Sequence, residues 1–424
     1  MNSLTDIVRF DPAPNDPWHP NSTPIYQTAT FAQDSAVEFG RYDYSRSGNP
    51  TRTVLESQLA RLEHAERAFA FASGMAALST LARLVPSGGH VVAGDDSYGG
   101  TYRLLERVLP RCGVRATYAD VTDPAAVAAA IEESTELVLL ETPTNPLQEI
   151  ADVRDIARLV RERSRLRERS RARESSGGRS RGGEILLAVD NSLLSPYLQN
   201  PLDLGADVVV HSATKHLCGH GDVTAGALAV RDAKLADEIA FLQNAQGTAL
   251  GPFDSWLLLR GMKTLGVRLD RAQDNAGKIA RRLARHPLVK HVHFPGLEEH
   301  PGHALHFRQA RGSGSLVSFE TGDADLSRRV VESLELFTIS VSFGSVGSLA
   351  SLPARMSHQS IPSSVRAERS LPDDLVRLSI GIEDARDLVA DLERALEPPR
   401  ITAARRSGAR SATRSNARSG SEQR

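Results

Sequence analysis

The stretch HSATKHLCGHGD, beginning at His211, sets Lys215 just beyond the apolar run ADVVV, with Ser212 and Thr214 beside it. Such a run suits a buried strand, and a lysine amine at its end serves no packing purpose. Other polar groups fall at equivalent places: EILLAVDN reaches Asp190, ELVLLETPTNP leads to Asn145, VVAGDDSYGG leads to Tyr98, and ASGMAAL opens a helix-like stretch at Gly74 and Met75. A lysine, a carboxylate, an aromatic ring, hydroxyls and a helix N-terminus together match the needs of pyridoxal phosphate. The amine condenses with the cofactor's aldehyde. The carboxylate pairs with the protonated ring nitrogen and keeps the ring electron-poor, while Tyr98 stacks on it. Backbone N–H groups at Gly74 and Met75, with the hydroxyls of Ser212 and Thr214, take the phosphate. Each piece alone has a plainer reading: Asp190 as a helix cap, Tyr98 as core, ASGMAA as a helix start. The combination carries the inference.

The elements that must position these groups are short apolar runs alternating with helix-like stretches. HVVAGD, ELVLLE, EILLAVD, ADVVVH and GALAV read as buried strands; TVLESQLARLEHAE, MAALSTLARLV and PAAVAAAIEE read as helices. The fold class is therefore α/β, a mostly parallel sheet covered on both faces, with ligands at the carboxyl ends of its strands. Residues 1–52 read as an extended arm and 53–252 as the large domain. Residues 253–398 read as a smaller C-terminal α/β domain, opening on helical sequence interrupted near Gly261 or Gly266 and containing strands in GSLVSFET and LVRLSIGIED. Arg161–Gly183 and the tail 399–424 are Arg/Ser-rich, the first as a possible extension of the preceding helix, and both are expected to lack a packed core.

The bulk numbers exclude several classes. The 424 residues are 40% hydrophobic and 24% charged, with a net charge of −1, so nothing global draws the chain to nucleic acid or membrane. A polyanion- or RNA-binding protein on a reused enzyme scaffold is the rival from another class, resting on the two Arg/Ser segments. No apolar run reaches the ~18–20 residues of a membrane span. The acidic, Pro-rich start resembles neither a secretory signal nor a transit peptide, which makes the cytoplasm the expected location. Two cysteines, Cys112 and Cys218, fit a reducing compartment. His291, His293, His300, His303 and His306 lack the accompanying Cys or acidic pattern of a metal site, so no metal is expected, and Cys218 reads as a packed thiol.

YDYSRSGNPTR, ASGMAAL, GDDSYGGTYR, ETPTNP, VDNS and HSATKHLCGHGDVTAG, which follow one another in a fixed order along the chain, resemble the trans-sulfuration enzymes of the Cys/Met metabolism group, from about Thr23 to Leu396. The resemblance implies the type I pyridoxal-phosphate transferase fold. It implies Lys215 as Schiff-base lysine and proton shuttle, Asp190 on the ring nitrogen, and Tyr98 stacked on the ring. It also implies Gly74, Met75, Ser212 and Thr214 on the phosphate, with Asn145 also at the cofactor. Tyr44 and Arg46 would reach the phosphate of a neighbouring subunit, in a homotetramer of site-sharing dimers. Arg377, which strand alternation alone would place on a solvent face, becomes the clamp for the substrate α-carboxylate, assisted by Ser342.

The catalytic groups alone leave β- and γ-elimination open. The longer stretches FLQNAQGTALGPFDSWLLLRGMKTL, HPGHALHF and VSFGSVGSLASLPARMSHQSIP look closest to plant-type cystathionine β-lyases. Val341 stands where γ-enzymes acting on cystathionine often carry Glu, and Gly100 where methionine γ-lyases usually carry Cys. The reaction implied is cleavage of L-cystathionine to homocysteine, pyruvate and ammonia, in methionine biosynthesis. The alternatives are methionine γ-lyase, cystathionine γ-lyase or γ-synthase, and O-acetylhomoserine sulfhydrylase. Lys215, alone or with Tyr98, would protonate the departing sulfur, which requires an amine pKa well below ~10.4.

Overall fold

The computed structural model describes residues 3–14, 16–174, 184–359, 361–369 and 371–397. Seven strands form the larger sheet: β1 Arg67–Phe71, β2 His90–Gly94, β3 Arg115–Ala119, β4 Thr135–Glu141, β5 Leu186–Asp190, β6 Val208–His211 and β7 Gly226–Val230. They lie in the order β1-β7-β6-β5-β4-β2-β3, and β7 alone runs antiparallel to its neighbours. The two-residue period of a strand sends alternate side chains to opposite faces. Val92, Val138, Leu140, Leu187, Val189 and Val209 pack on one face with Leu55 and Leu59 of the helix Pro50–Leu62. Val91, Leu137, Leu139, Ala188, Val208 and Val210 pack on the other with Leu78 and Leu81 of the helix Gly74–Ala82. Burial on both faces is why these strands read as unbroken apolar runs. β3, RATYA, escapes that pattern as a partly exposed edge; β1, RAFAF, is buried on both faces through Ala68 and Ala70 on one side and Phe69 and Phe71 on the other, but opens on a charge.

The smaller sheet comprises β8 His291–His293, β9 Leu316–Glu320, β10 Thr338–Ile339, β11 Leu349–Ser351 and β12 Leu375–Ser379, in the order β10-β11-β12-β9-β8. Val317, Phe319, Val376 and Leu378 meet Ile279, Leu283, Val330, Leu388 and Leu392 from the helices Leu265–Leu283, Ala324–Ser333 and Ala385–Leu396 in a separate core.

Packing departs from the sequence reading in three places. The arm does not begin extended: Ser3–Val8 is a helix, Ile7 is buried, and the Gln58 side chain donates to the Asp6 carbonyl at 2.7 Å. The helix Pro252–Met262 and the start of the next belong to the large-sheet core, through Leu258, Leu259, Met262, Leu265 and Leu269. The smaller core starts at Ala276, so the change of core falls well after 253. The break between the two helices sits at Lys263 and Thr264, between the two glycines. Finally, the first half of the Arg/Ser segment is packed. The helix Val153–Glu174 runs through it, Ser164 accepts the Ile185 N–H at 3.0 Å, and Arg167 is buried against the Thr135 carbonyl and Glu136. Arginine and glutamate propagate a helix, and one face of that helix meets the sheet. Residues 175–183 and the tail from 399 lie outside the described residues.

Candidate active site

The carboxyl ends of β4, β5 and β6 open on a cleft of about 400 Å³. Gly74, Met75, Tyr98, Asn145, Asp190, Ser212, Thr214, Lys215, Ser342 and Arg377 all line it. Tyr44 and Arg46 do not line the cleft of their own chain. The Arg46 Nε donates to Asn244 Oδ1 at 3.0 Å, and its guanidinium lies 5.1 Å from the Tyr44 ring centroid.

Asp190 closes β5. Its Oδ1 accepts the Ser192 backbone N–H at 3.0 Å and the Ser192 hydroxyl at 2.6 Å, which leaves Oδ2 for a cationic ring nitrogen. Burial pushes this carboxyl up, against the bonds from Ser192. Glu141, its register partner at the end of β4, was not foreseen as a site residue. It lines the same cleft, and its Oε2 accepts the Tyr98 backbone N–H at 3.1 Å. Burial, reinforced by the charge of Asp190, holds the Glu141 carboxyl well above the usual range. The signal for it was an acid closing an otherwise apolar strand.

The helix Gly74–Ala82 supplies an anion cradle. Ser73 caps it by accepting the Ala76 N–H at 3.0 Å, and the N–H groups of Gly74 and Met75, the first two residues of the helix, have no intrahelical acceptor. A Cβ at Gly74 would lie 2.9 Å from Ser212 Cβ and 3.0 Å from Ser212 Oγ. Any side chain there would fill the cradle. Thr214 lines the cleft, and its hydroxyl also donates to the Ala225 carbonyl at 3.1 Å and accepts the Ala225 N–H at 2.9 Å. In this arrangement it braces the turn that carries Lys215. A cradle left open by glycine, a carboxylate with one free oxygen and a buried amine fit pyridoxal phosphate.

The Lys215 Nζ donates to Ser342 Oγ at 2.5 Å and lies 4.8 Å from the Phe343 ring centroid. Burial lowers this amine to about 8; the nearby Arg377 charge adds to the effect and Asp190 opposes it. In cofactor-free protein, labelling of Lys215 by an amine-selective reagent should therefore rise with pH through a midpoint near 8. A midpoint at the ~10.4 of a solvated lysine would contradict this environment.

Ser342 holds φ at +87°, a left-handed conformation uncommon outside glycine. Its carbonyl accepts Arg377 Nη2 at 2.8 Å, while Arg377 Nη1 donates to Asn145 Oδ1 at 2.8 Å. Two residues on, a Cβ at Gly344 would lie 2.7 Å from the His216 backbone nitrogen and 3.0 Å from the Lys215 carbonyl carbon. The segment from the smaller sheet thus rests directly on the lysine turn. Arg377 itself is only 2% exposed, which corrects its placement on a solvent face. β12 lies between β11 and β9; Val376 and Leu378 enter the smaller core, and the opposite face carries Arg377 toward the large-sheet strand ends. Burial lowers its guanidinium to about 10.

The histidines have local partners: His293 pairs with Glu320 at 2.7 Å, and His303 and His306 bond the carbonyls of Pro295 and Gly312, each at 2.8 Å. Among the described residues no group of three or more metal-ligating side chains is placed to hold an ion. Cys218 is buried, bonds Asp222 Oδ1 at 3.1 Å, and burial pushes its thiol up, away from nucleophilic character.

The chain matches the family described as Cys/Met metabolism PLP-dependent enzyme over residues 5–168 and 173–397. Only 169–172 of the Arg/Ser segment falls outside those ranges, so the segment is less foreign than its composition suggests. The chain is 53% identical to the chloroplastic cystathionine beta-lyase of Arabidopsis thaliana, over 89% of this chain and 77% of that protein. It is 45% identical to a Bacillus subtilis cystathionine gamma-lyase, over 89% of this chain and 94% of that one. Among solved structures, the cystathionine gamma-lyase of Lactobacillus plantarum, complexed with L-serine, superposes with a TM-score of 0.86 at 40% identity, covering 93% of this chain and 98% of that one. With a match across most of its length and its strand-end groups gathered in one cleft, the chain belongs to the Cys/Met metabolism PLP-dependent enzymes.

Proposed function

We propose that the chain is a carbon–sulfur lyase that cleaves L-cystathionine by β-elimination to homocysteine, pyruvate and ammonia. The observation that carries this reading is the buried contact of Lys215 with Ser342 beside Arg377, in a chain half identical to a plant cystathionine beta-lyase. One proton carrier placed beside a carboxylate clamp suffices for loss of the α-proton and departure of sulfur from the β-carbon.

Pyridoxal phosphate, when bound, supplies the electron sink for charge developing at the substrate α-carbon. Lys215 Nζ would tether it, Asp190 would pair with its ring nitrogen, Asn145 and the Tyr98 ring would border it, and Gly74, Met75, Ser212 and Thr214 would hold its phosphate. Arg377 orients the α-carboxylate through its planar fork, with Ser342 beside it. Once the substrate amine displaces it from the cofactor, Lys215, favoured as the free amine by burial, takes the α-proton. It then delivers a proton to the leaving sulfur, and Tyr98 stands on the same cleft wall to assist.

Tyr44 and Arg46 we assign to the phosphate of a neighbouring subunit, in a homotetramer. Their place outside their own cleft supports this, as does the exposed apolar surface of the arm at Trp18, Val37 and Phe39. Among the described residues no helix is long and apolar enough to cross a membrane. The unpaired Cys112 and Cys218 agree with a reducing compartment, for which we propose the cytoplasm.

The gamma-lyase relatives favour γ-cleavage as the second reading. The purified enzyme is expected to release pyruvate from L-cystathionine. Release of 2-oxobutyrate in its place would transfer the assignment to γ-cleavage.

A further inference from the structure

Ser357 and Met356 line the cleft but have no part in the chemistry above. Behind Ser357 lies His358, 1% exposed. The His358 Nε2 is 3.1 Å from the Asn145 carbonyl oxygen, and its Nδ1 is 2.9 Å from the Ser357 hydroxyl. A carbonyl oxygen only accepts, so Nε2 carries the hydrogen. The imidazole is neutral here: burial lowers it to about 3, and Arg377, Arg366 and Arg369 nearby also oppose a second proton. In the neutral ring the other nitrogen accepts, so Ser357 donates its hydroxyl hydrogen to Nδ1. Its own oxygen is left to the cleft as an acceptor only.

An acceptor does not bind a carboxylate. It binds a donor, and best a cationic one. The α-amine of the substrate is engaged at the cofactor, and the α-carboxylate is assigned to Arg377. For a substrate with an amino acid at each end, the remaining donor is the distal ammonium. Val341, Phe343 and Met356 give the same cleft apolar surface suited to the thioether and methylenes between the two ends.

We propose that Ser357, its hydroxyl oriented by the Asn145–His358 relay, is a specificity residue that accepts a hydrogen bond from the distal ammonium of the substrate. This rests on the β-cleavage of L-cystathionine proposed above.

The test compares L-cystathionine with S-(3-carboxypropyl)-L-cysteine, which replaces the distal CH–NH₃⁺ by CH₂ and keeps the reacting end. Ser357→Ala should lower kcat/KM for L-cystathionine about tenfold, chiefly through KM, and change the deamino substrate by less than about twofold. Ser357→Thr, which keeps the hydroxyl, should restore the preference. Equal losses on both substrates would mean a structural role, and no loss on either would mean no contact; each overturns the inference alone. A wild-type enzyme that releases pyruvate from the deamino substrate but none from L-cystathionine overturns the inference together with the function it rests on.

Discussion

Lys215→Ala is expected to lower pyruvate release from L-cystathionine by at least ~10³-fold, measured at saturating substrate with cofactor in excess. Nζ donates to the Ser342 hydroxyl and lies 4.8 Å from the Phe343 ring, with the Arg377 guanidinium nearby, and none of these three is a base in the neutral pH range. Asp190, whose charge also reaches Nζ, is assigned to the ring nitrogen, and a phenol such as that of Tyr98 is a poor base at neutral pH. Borohydride reduction of the wild-type holoprotein, followed by digestion and mass spectrometry, should place the pyridoxyl group on the peptide containing Lys215. A mutant that keeps wild-type turnover without added amine, or an adduct on another residue, would refute the assignment.

Arg377→Lys should lower kcat/KM by about 10²-fold, mostly through KM, because the charge stays while the planar fork is lost. Lysine cannot reach Asn145 Oδ1 and the Ser342 carbonyl at once, as the two ends of the guanidinium do at 2.8 Å each. The bond to the Ser342 carbonyl also holds Ser342 near Lys215, so a smaller fall in kcat should accompany the rise in KM. An unchanged KM would show that the substrate carboxylate binds elsewhere. Circular dichroism of the variant separates either result from misfolding.

Groups ending apolar strands were the most legible part of the site. Asp190 and Lys215 stand out because a buried strand offers no packing role for a charge, and a strand end in a doubly wound sheet is where charge can be used. Glu141 carried the same mark within ELVLLE, yet the eye passes over it, since an acid after a strand is also an ordinary turn residue. Arg377 was misplaced by alternation because period two says which residues share a face, not what the face meets. Here it meets a second layer of protein, a fact held in residues far away along the chain. The helix Val153–Glu174 shows the opposite limit. Its composition suggests solvated sequence, but Ser164 and Arg167 find partners on the sheet that only the folded arrangement brings near. Edge strands such as β3 lack the two-sided burial that makes β4 and β5 readable.

The close seating of Gly344 on the lysine turn has a bearing on biosynthesis. When the first sheet has left the ribosome, Lys215 has been made but its covering residues, Ser342, Phe343 and Arg377, have not. Until they follow, that amine lacks the Ser342 bond, the Phe343 ring and the Arg377 charge that surround it in the folded chain. A nascent chain at that stage has no tuned nucleophile to offer the vitamin-derived aldehyde, so the reactive centre comes into being with the last third of translation.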